Sequence, residues 1–242
     1  MGKLLPTLDA YATGYSTDDN DFQWTHTFGA PIGRNGLLIV GATGQETGGE
    51  HDPEEINVIY FMHPINGWTG MTKIADANSQ ESGYSLYAIK YSQLPAGTTS
   101  VVVGINYKSN PATPDVCRGI SASFRNVKDQ VCEAHSENTL GDGNGGNRTA
   151  IVTPLTYKAL VVGFFGERTA VSFSEASSPA FTAITTNTGG ENNGYLGMYY
   201  RVVNTPAATT FKINPVNPEV NGIFAASFEA ANSGGAALFG MM

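Results

Sequence analysis

Two stretches of this chain repeat each other. "YSLYAIKYSQLPAGTTSVVV" (84–103) lies over "YLGMYYRVVNTPAATTFKI" (195–213) without a gap, Tyr84 on Tyr195 and Lys90 on Arg201. Pro95, Ala96, Thr98 and Thr99 fall on Pro206, Ala207, Thr209 and Thr210, each pair 111 residues apart. Six matches in register mark an internal duplication, so whatever fold one half adopts the other should adopt too. Two more pairs extend it: "LIVG" at 38–41 with "LVVG" at 160–163, offset 122, and "ASF" at 122–124 with "ASF" at 226–228, offset 104. The falling offsets give the first half extra residues in two places. Eleven net (122 − 111) lie between Gly41 and Tyr84, with "GQETGGEHDPEE" (44–55) the expected body; seven net (111 − 104) lie between Thr99 and Ala122, where "YKSNPATPDV" (107–116) fits. Loops added to a scaffold are common seats of function, so partner contacts are expected in 44–66 and 107–116, and at the termini.

Both halves are written in short apolar runs between turn residues. The first carries 22–28, 36–42, 56–62, 84–91, 99–107 and 118–124; the second carries 147–157, 159–166, 170–176, 180–186, 195–203, 209–215 and 222–228. Period-2 alternation and β-branched content make these strands, and no window sustains a helical apolar stripe. With 29 glycines, 12 prolines and 14% charged residues, the composition agrees. The expected fold is all-β with almost no helix: an antiparallel, jelly-roll-like β-sandwich of two pseudo-twofold halves. Its divisions are an N-terminal arm (1–7), a first half (8–136), a Gly-rich linker (137–149), a second half (150–231) and a C-terminal tail (232–242). A core shared by the two halves is favoured over two separate sandwiches. The repeated corners "LPAGTT" and "TPAATT" read as Pro-led turns feeding a strand, which is structural punctuation rather than a site.

A net charge of −8 disfavours nucleic-acid binding. No stretch approaches the roughly 20 apolar residues of a membrane span, and "MGKLLPTLDAYATG" reads as neither signal peptide nor anchor. Cys117 and Cys132 read as two free thiols.

Site chemistry is sparse. There is no G-x-S-x-G elbow, no Cys–His pair with an orienting acid, no P-loop and no dinucleotide fingerprint. No catalytic residue, cofactor or metal is therefore expected. His26 sits mid-strand beside Trp24 and reads as a packed residue. His51, with Glu50, Asp52, Glu54 and Glu55, would be the place for a divalent ion, but an exposed acidic loop is the commoner outcome of such a run. "STDDND" (16–21) and "DGNGGN" (142–147) lack the ligand spacing and closing Glu of a calcium loop. Trp68, Tyr84, Tyr60 and Tyr195 could supply sugar-stacking surfaces, yet aromatics in alternating strands usually fill cores. Only Trp68, in the turn-like "INGWTG", is expected to be exposed. The candidate partner contacts are Glu46, His51, Asp52, Trp68, Leu238, Phe239 and Met241. The last three belong to "NSGGAALFGMM", a Gly-led apolar tail expected to dock onto a neighbouring protein.

"FQWTHTFG" (22–29), "GRNGLLIVGA" (33–42), "LPAGTT" (94–99) and "GISASF" (119–124) together resemble a pattern in phage and prophage virion structural proteins: W-S-H-T, then N-R-L-L-V-V-G, P-x-G-T and SF-x-G-V. Trp24, Thr25, His26 and Thr27 match the first element. Arg34 and Asn35 stand exchanged before Leu37, Leu38, Ile39, Val40 and Gly41 in the second; Pro95, Gly97 and Thr98 match the third. Asn126 replaces the glycine of the fourth. The resemblance spans most of 8–231 and implies a non-enzymatic virion protein on the particle surface, made in the host bacterial cytoplasm. It would be a capsid decoration, cement or head-fibre-type protein, with other virion proteins and copies of itself as partners. A tail or neck component with a lectin-like, glycan-binding sandwich is the alternative.

Overall fold

In the computed structural model, residues 2–16, 21–45, 56–79, 82–107, 116–128, 132–140, 148–167, 173–188, 195–215 and 221–233 are described. They form strands β1 (Thr7–Ser16), β2 (Asp21–Thr27), β3 (Gly36–Gln45), β4 (Ile56–His63), β5 (Gly67–Gly70), β6 (Thr72–Ser79), β7 (Ser82–Lys90), β8 (Ser100–Tyr107) and β9 (Val116–Arg125). Then follow β10 (Ala134–Leu140), β11 (Arg148–Val152), β12 (Ala159–Glu167), β13 (Phe173–Glu175), β14 (Thr182–Thr188), β15 (Tyr195–Val203), β16 (Thr209–Pro215) and β17 (Asn221–Phe228). One 3-10 turn, Tyr91–Gln93, is the sole helical element among the described residues. The fold is all-β, as the alternation predicts.

Four antiparallel sheets result: β1-β9-β3-β7-β6, β2-β8-β4-β5, β10-β17-β12-β15-β14 and β11-β16-β13. The two five-stranded sheets have the same order, element for element, and each has a bulge in its last strand, at Lys73/Ala75 and at Ala183/Thr185. The sequence matches fall on corresponding strands: β3 with β12, β7 with β15, β9 with β17. The burial pattern refines the alignment by one residue. Leu37 pairs with Phe124 as Leu160 pairs with Phe228, and Thr43 opposes Tyr84 as Gly166 opposes Leu196. Position 37, not 38, is thus the counterpart of 160, and 84 that of 196. A one-residue slip turns every side chain to the other face, and the core decides which register holds.

Three cores separate four layers. Leu38, Val40, Phe22, Trp24, Phe61 and Ile105 fill the space between the two sheets of the first half; Val161, Phe165, Phe211 and Ile223 do the same in the second. Between the five-stranded sheets lies a core drawn from both halves, including Leu37, Ile39, Leu86, Leu160, Phe164 and Phe224. Each half is therefore a sandwich of its own, and the two also share a core. β3 and β12 are buried on both faces, which explains their continuous apolar sequence. Close backbone approach is built into the shared layer: a Cβ on Gly41 would stand 2.4 Å from the Phe164 ring. Across this layer β6 lies against β10 and β17, and β1 against β14.

Four strands depart from the sequence expectation. β1, β6 and β10 are edge strands and β5 is a four-residue edge, all more polar than the runs that announced the other strands. The segment 137–149, expected as a linker, supplies Glu137–Leu140 to β10 and Arg148 and Thr149 to β11. β10 pairs with β17, so 134–136 belongs with the second half rather than the first. The N-terminal arm is tied down. Lys3 bridges Asn232, the Leu4 N–H donates to the Ala231 carbonyl at 2.9 Å, and Lys3 and Lys128 both contact the Glu229 carboxylate. The two corners also differ. Gly97 takes φ +84° in a turn closed by Thr98 N–H onto the Pro95 carbonyl, whereas Ala208 replaces it in the second half and Thr209 Oγ1 donates to Ala207 instead.

Candidate interaction surface

β5 has no counterpart among the described strands of the second half, whose small sheet ends at β13. The first-half small sheet thus has one strand more, β5, which closes a hairpin with β4 beyond the acidic stretch that the offsets singled out. His63 shapes its turn: Nδ1 accepts the Ile65 and Asn66 N–H groups at 3.1 and 3.0 Å, and Gly67 takes φ +69°. The hairpin exposes Ile65 (81%), Trp68 (42%) and Met62 (38%). Trp68 is the expected exposed aromatic, and it meets Tyr60 edge-on, ring centroids 4.7 Å apart.

The register explains why Tyr60 has room. Its neighbours on both flanking strands are glycines, Gly104 on β8 and Gly70 on β5. A Cβ at 104 would stand 2.4 Å from the Tyr60 ring, so the ring lies down on the β8 backbone; at Gly70 the nearest atom to such a Cβ is a Val58 methyl at 3.7 Å. Gln23 stands opposite Gly104 on β2, and a bulge at Asn57 lets its amide donate to Asn106 Oδ1 at 3.0 Å. The sequences of β2, β8, β4 and β5 contain no Lys or Arg and a single carboxylate, Asp21 at one end.

The other residues that the sequence singled out fall elsewhere. Tyr84 does not stack outward; it is fully buried against Gly166 and Gly222 in the shared core. Tyr195 packs edge-on to Phe173. Glu46, His51, Asp52, Leu238, Phe239 and Met241 lie outside the described residues, as do the bodies of the two calcium-like stretches.

His26 is a core residue. It is completely buried, its Nδ1 is 2.9 Å from Ser121 Oγ, and that hydroxyl also accepts the Trp24 indole N–H at 2.9 Å. Burial lowers its pKa to about 4 against a small opposing pull from Asp9, so the ring is neutral. The Ser–His contact lies inside the first-half sandwich, where Ser121 is itself wholly buried. Cys117 and Cys132 form no disulfide and lie as thiols in different cores, and burial raises the Cys132 pKa to about 11. Among the described residues no three His, Cys, Asp or Glu side chains gather as a metal site. Two clefts adjoin the repeated corners. One of about 450 Å³ is lined by Arg34, Asn35 and Leu94; another of about 380 Å³ by Ser178, Arg201 and Thr205. Sequence reasoning missed both, because it read the corner as a turn and a cleft arises only where separate turns converge.

No protein-family model matches this chain, and no curated protein matches it either.

Proposed function

We propose that this chain is a non-enzymatic structural protein of a bacteriophage particle, a capsid decoration or head-fibre-type protein carried on the particle surface. The observation that carries the reading is the extra strand β5, which turns β4 into a hairpin with Ile65, Met62 and Trp68 exposed on a scaffold whose two halves otherwise share their strand order. Isolated exposed apolar residues are ordinary, but several on one projecting hairpin mark a contact surface. The W-T-H-T, L-L-I-V-G and P-A-G-T motifs support the virion assignment. They contribute scaffold here: Trp24 and His26 bind Ser121, and Leu38 and Val40 pack in the first-half core. The pseudo-twofold relation of the halves belongs to the same proposal. It is supported by reciprocity across the shared layer, where β1 meets β14 and β6, the counterpart of β14, meets β10, the counterpart of β1.

Quantitative mass spectrometry of purified particles tests the assignment. Many copies per particle are expected of a decoration protein and a handful of a neck or tail part. Absence from particles of a host that expresses the chain would remove the reading. A second reading, a lectin-like tail or neck component, is favoured by the Tyr60–Trp68 pair alone.

A further inference from the structure

We propose that the outer face of the β2-β8-β4-β5 sheet binds an uncharged oligosaccharide, with Tyr60 as the floor, Trp68 as the wall and the Gly70 position as the seat of one sugar ring. The proposal deepens the second reading above and rests on it; it does not need the particle assignment. A pyranose offers an apolar C–H face and a rim of hydroxyls, so its receptor needs an aromatic surface with room above it and neutral amides at its edge. The aromatic pair and the amides are present, and position 70 leaves space beside the ring. Tyr60 lies flat because position 104 has no side chain, and Trp68 stands against it at 69°. Gly70, next to Tyr60 on the other side, leaves the sheet open there. Gln23, Asn57 and Asn106 bring amides to the same sheet face.

Charge and size select the ligand. In a chain of net charge −8, the four strands of this sheet hold one carboxylate and no Lys or Arg. An acidic ligand therefore finds no counter-charge on the strands and a basic one only Asp21 at one end, whereas a neutral polyol needs none. The corresponding small sheet of the second half carries Arg148, Lys212 and Glu175, so the charge-free surface is particular to the half that gained β5. The exposed apolar footprint is chiefly parts of Met62, Trp68 and Ile65. It is the scale of one or two sugar rings.

The purified full chain would be titrated with neutral hexasaccharides of glucose, mannose and N-acetylglucosamine, and with a uronic-acid hexamer, while tryptophan emission is followed. Of the two tryptophans only Trp68 is substantially exposed, so its emission reports this face. A saturable change with at least one neutral sugar and none with the uronate is expected. Calorimetry should show that Trp68→Ala weakens binding at least about tenfold. Gly70→Val is the decisive variant. Its new Cβ meets only ordinary contact distance, and a β-branched residue suits a strand, so melting should hold or rise while binding falls about tenfold as the seat is filled. No saturable binding to any neutral sugar, or unchanged affinity in both variants, would overturn the proposal. So would self-association of the wild type that Trp68→Ala abolishes, which would make the face a contact between copies. Particle content is measured separately, so failure here leaves the virion assignment standing or falling on its own.

Discussion

His26 shows how a single residue can set a pH dependence without any catalytic role. Its folded-state pKa of about 4 lies below the ordinary 6.5 because burial disfavours the cation, with Asp9 opposing weakly. The unfolded chain therefore binds the extra proton between these values. The stability linked to His26 is complete above pH 6.5 and is lost progressively as pH falls toward 4, by up to about 3 kcal/mol. Urea unfolding at pH 7.5, 6 and 5 should show this decline in the wild type. His26→Phe, which keeps an aromatic ring but cannot titrate, should flatten the profile over that window. Glu229 acts at lower pH. Its burial raises the carboxyl pKa, but Lys128 and Lys3 more than offset that and bring it below the ordinary value. Its contribution is present above about pH 4.5 and fades below it, so Glu229→Gln should leave the pH 5–7.5 slope unchanged and remove part of the acid loss beneath it. Of these two sites, only the mid-strand place of His26 was legible in the sequence. The Lys3–Glu229–Lys128 cluster joins residues up to 226 positions apart, and no local pattern announces such a meeting.

At the scale of elements, legibility followed burial. Strands packed on both faces, such as β3 and β12, declare themselves as unbroken apolar runs; those with one wet face show alternation. The missed strands β1, β6 and β10 are edges whose pairing comes from a neighbour's backbone, which any side chain permits. The repeat was readable as a succession of strands but not to the residue. Identity at 38/160 and 84/195 rewards similar letters, whereas burial fixes which face each letter occupies, and the shared core sets 37 with 160 and 84 with 196. Gly119 gives a test of this packing. A Cβ there would stand 2.3 Å from the Trp24 ring, so Gly119→Ala should cost roughly 1–3 kcal/mol by forcing Trp24 off its bond to Ser121. Gly70→Ala in the open hairpin strand should cost nothing measurable. Chemical denaturation of both variants checks the contrast, and equal losses would mean that the Trp24–Gly119 contact is not tight.

For the whole molecule, the shared core couples the halves. Phe164 of β12 stacks on Phe224 and covers Gly41 of the first half, with no exposed surface. Phe164→Ala should lower stability by about 3–5 kcal/mol. Because its neighbours come from both halves, calorimetry should show one transition moving down rather than a second appearing. A wild-type scan with two separated transitions would mean that the inner layer is a docking surface between independent sandwiches. The sequence by itself determined the all-β class, the succession of most strands and the exposure of Trp68, since alternation and turn residues are local properties of a chain. The tertiary structure alone decided the three cores, the one-residue register and the seating of Tyr60 between Gly104 and Gly70. Those depend on which strands become neighbours, and that is set by burying apolar faces across long separations rather than by any short stretch of residues.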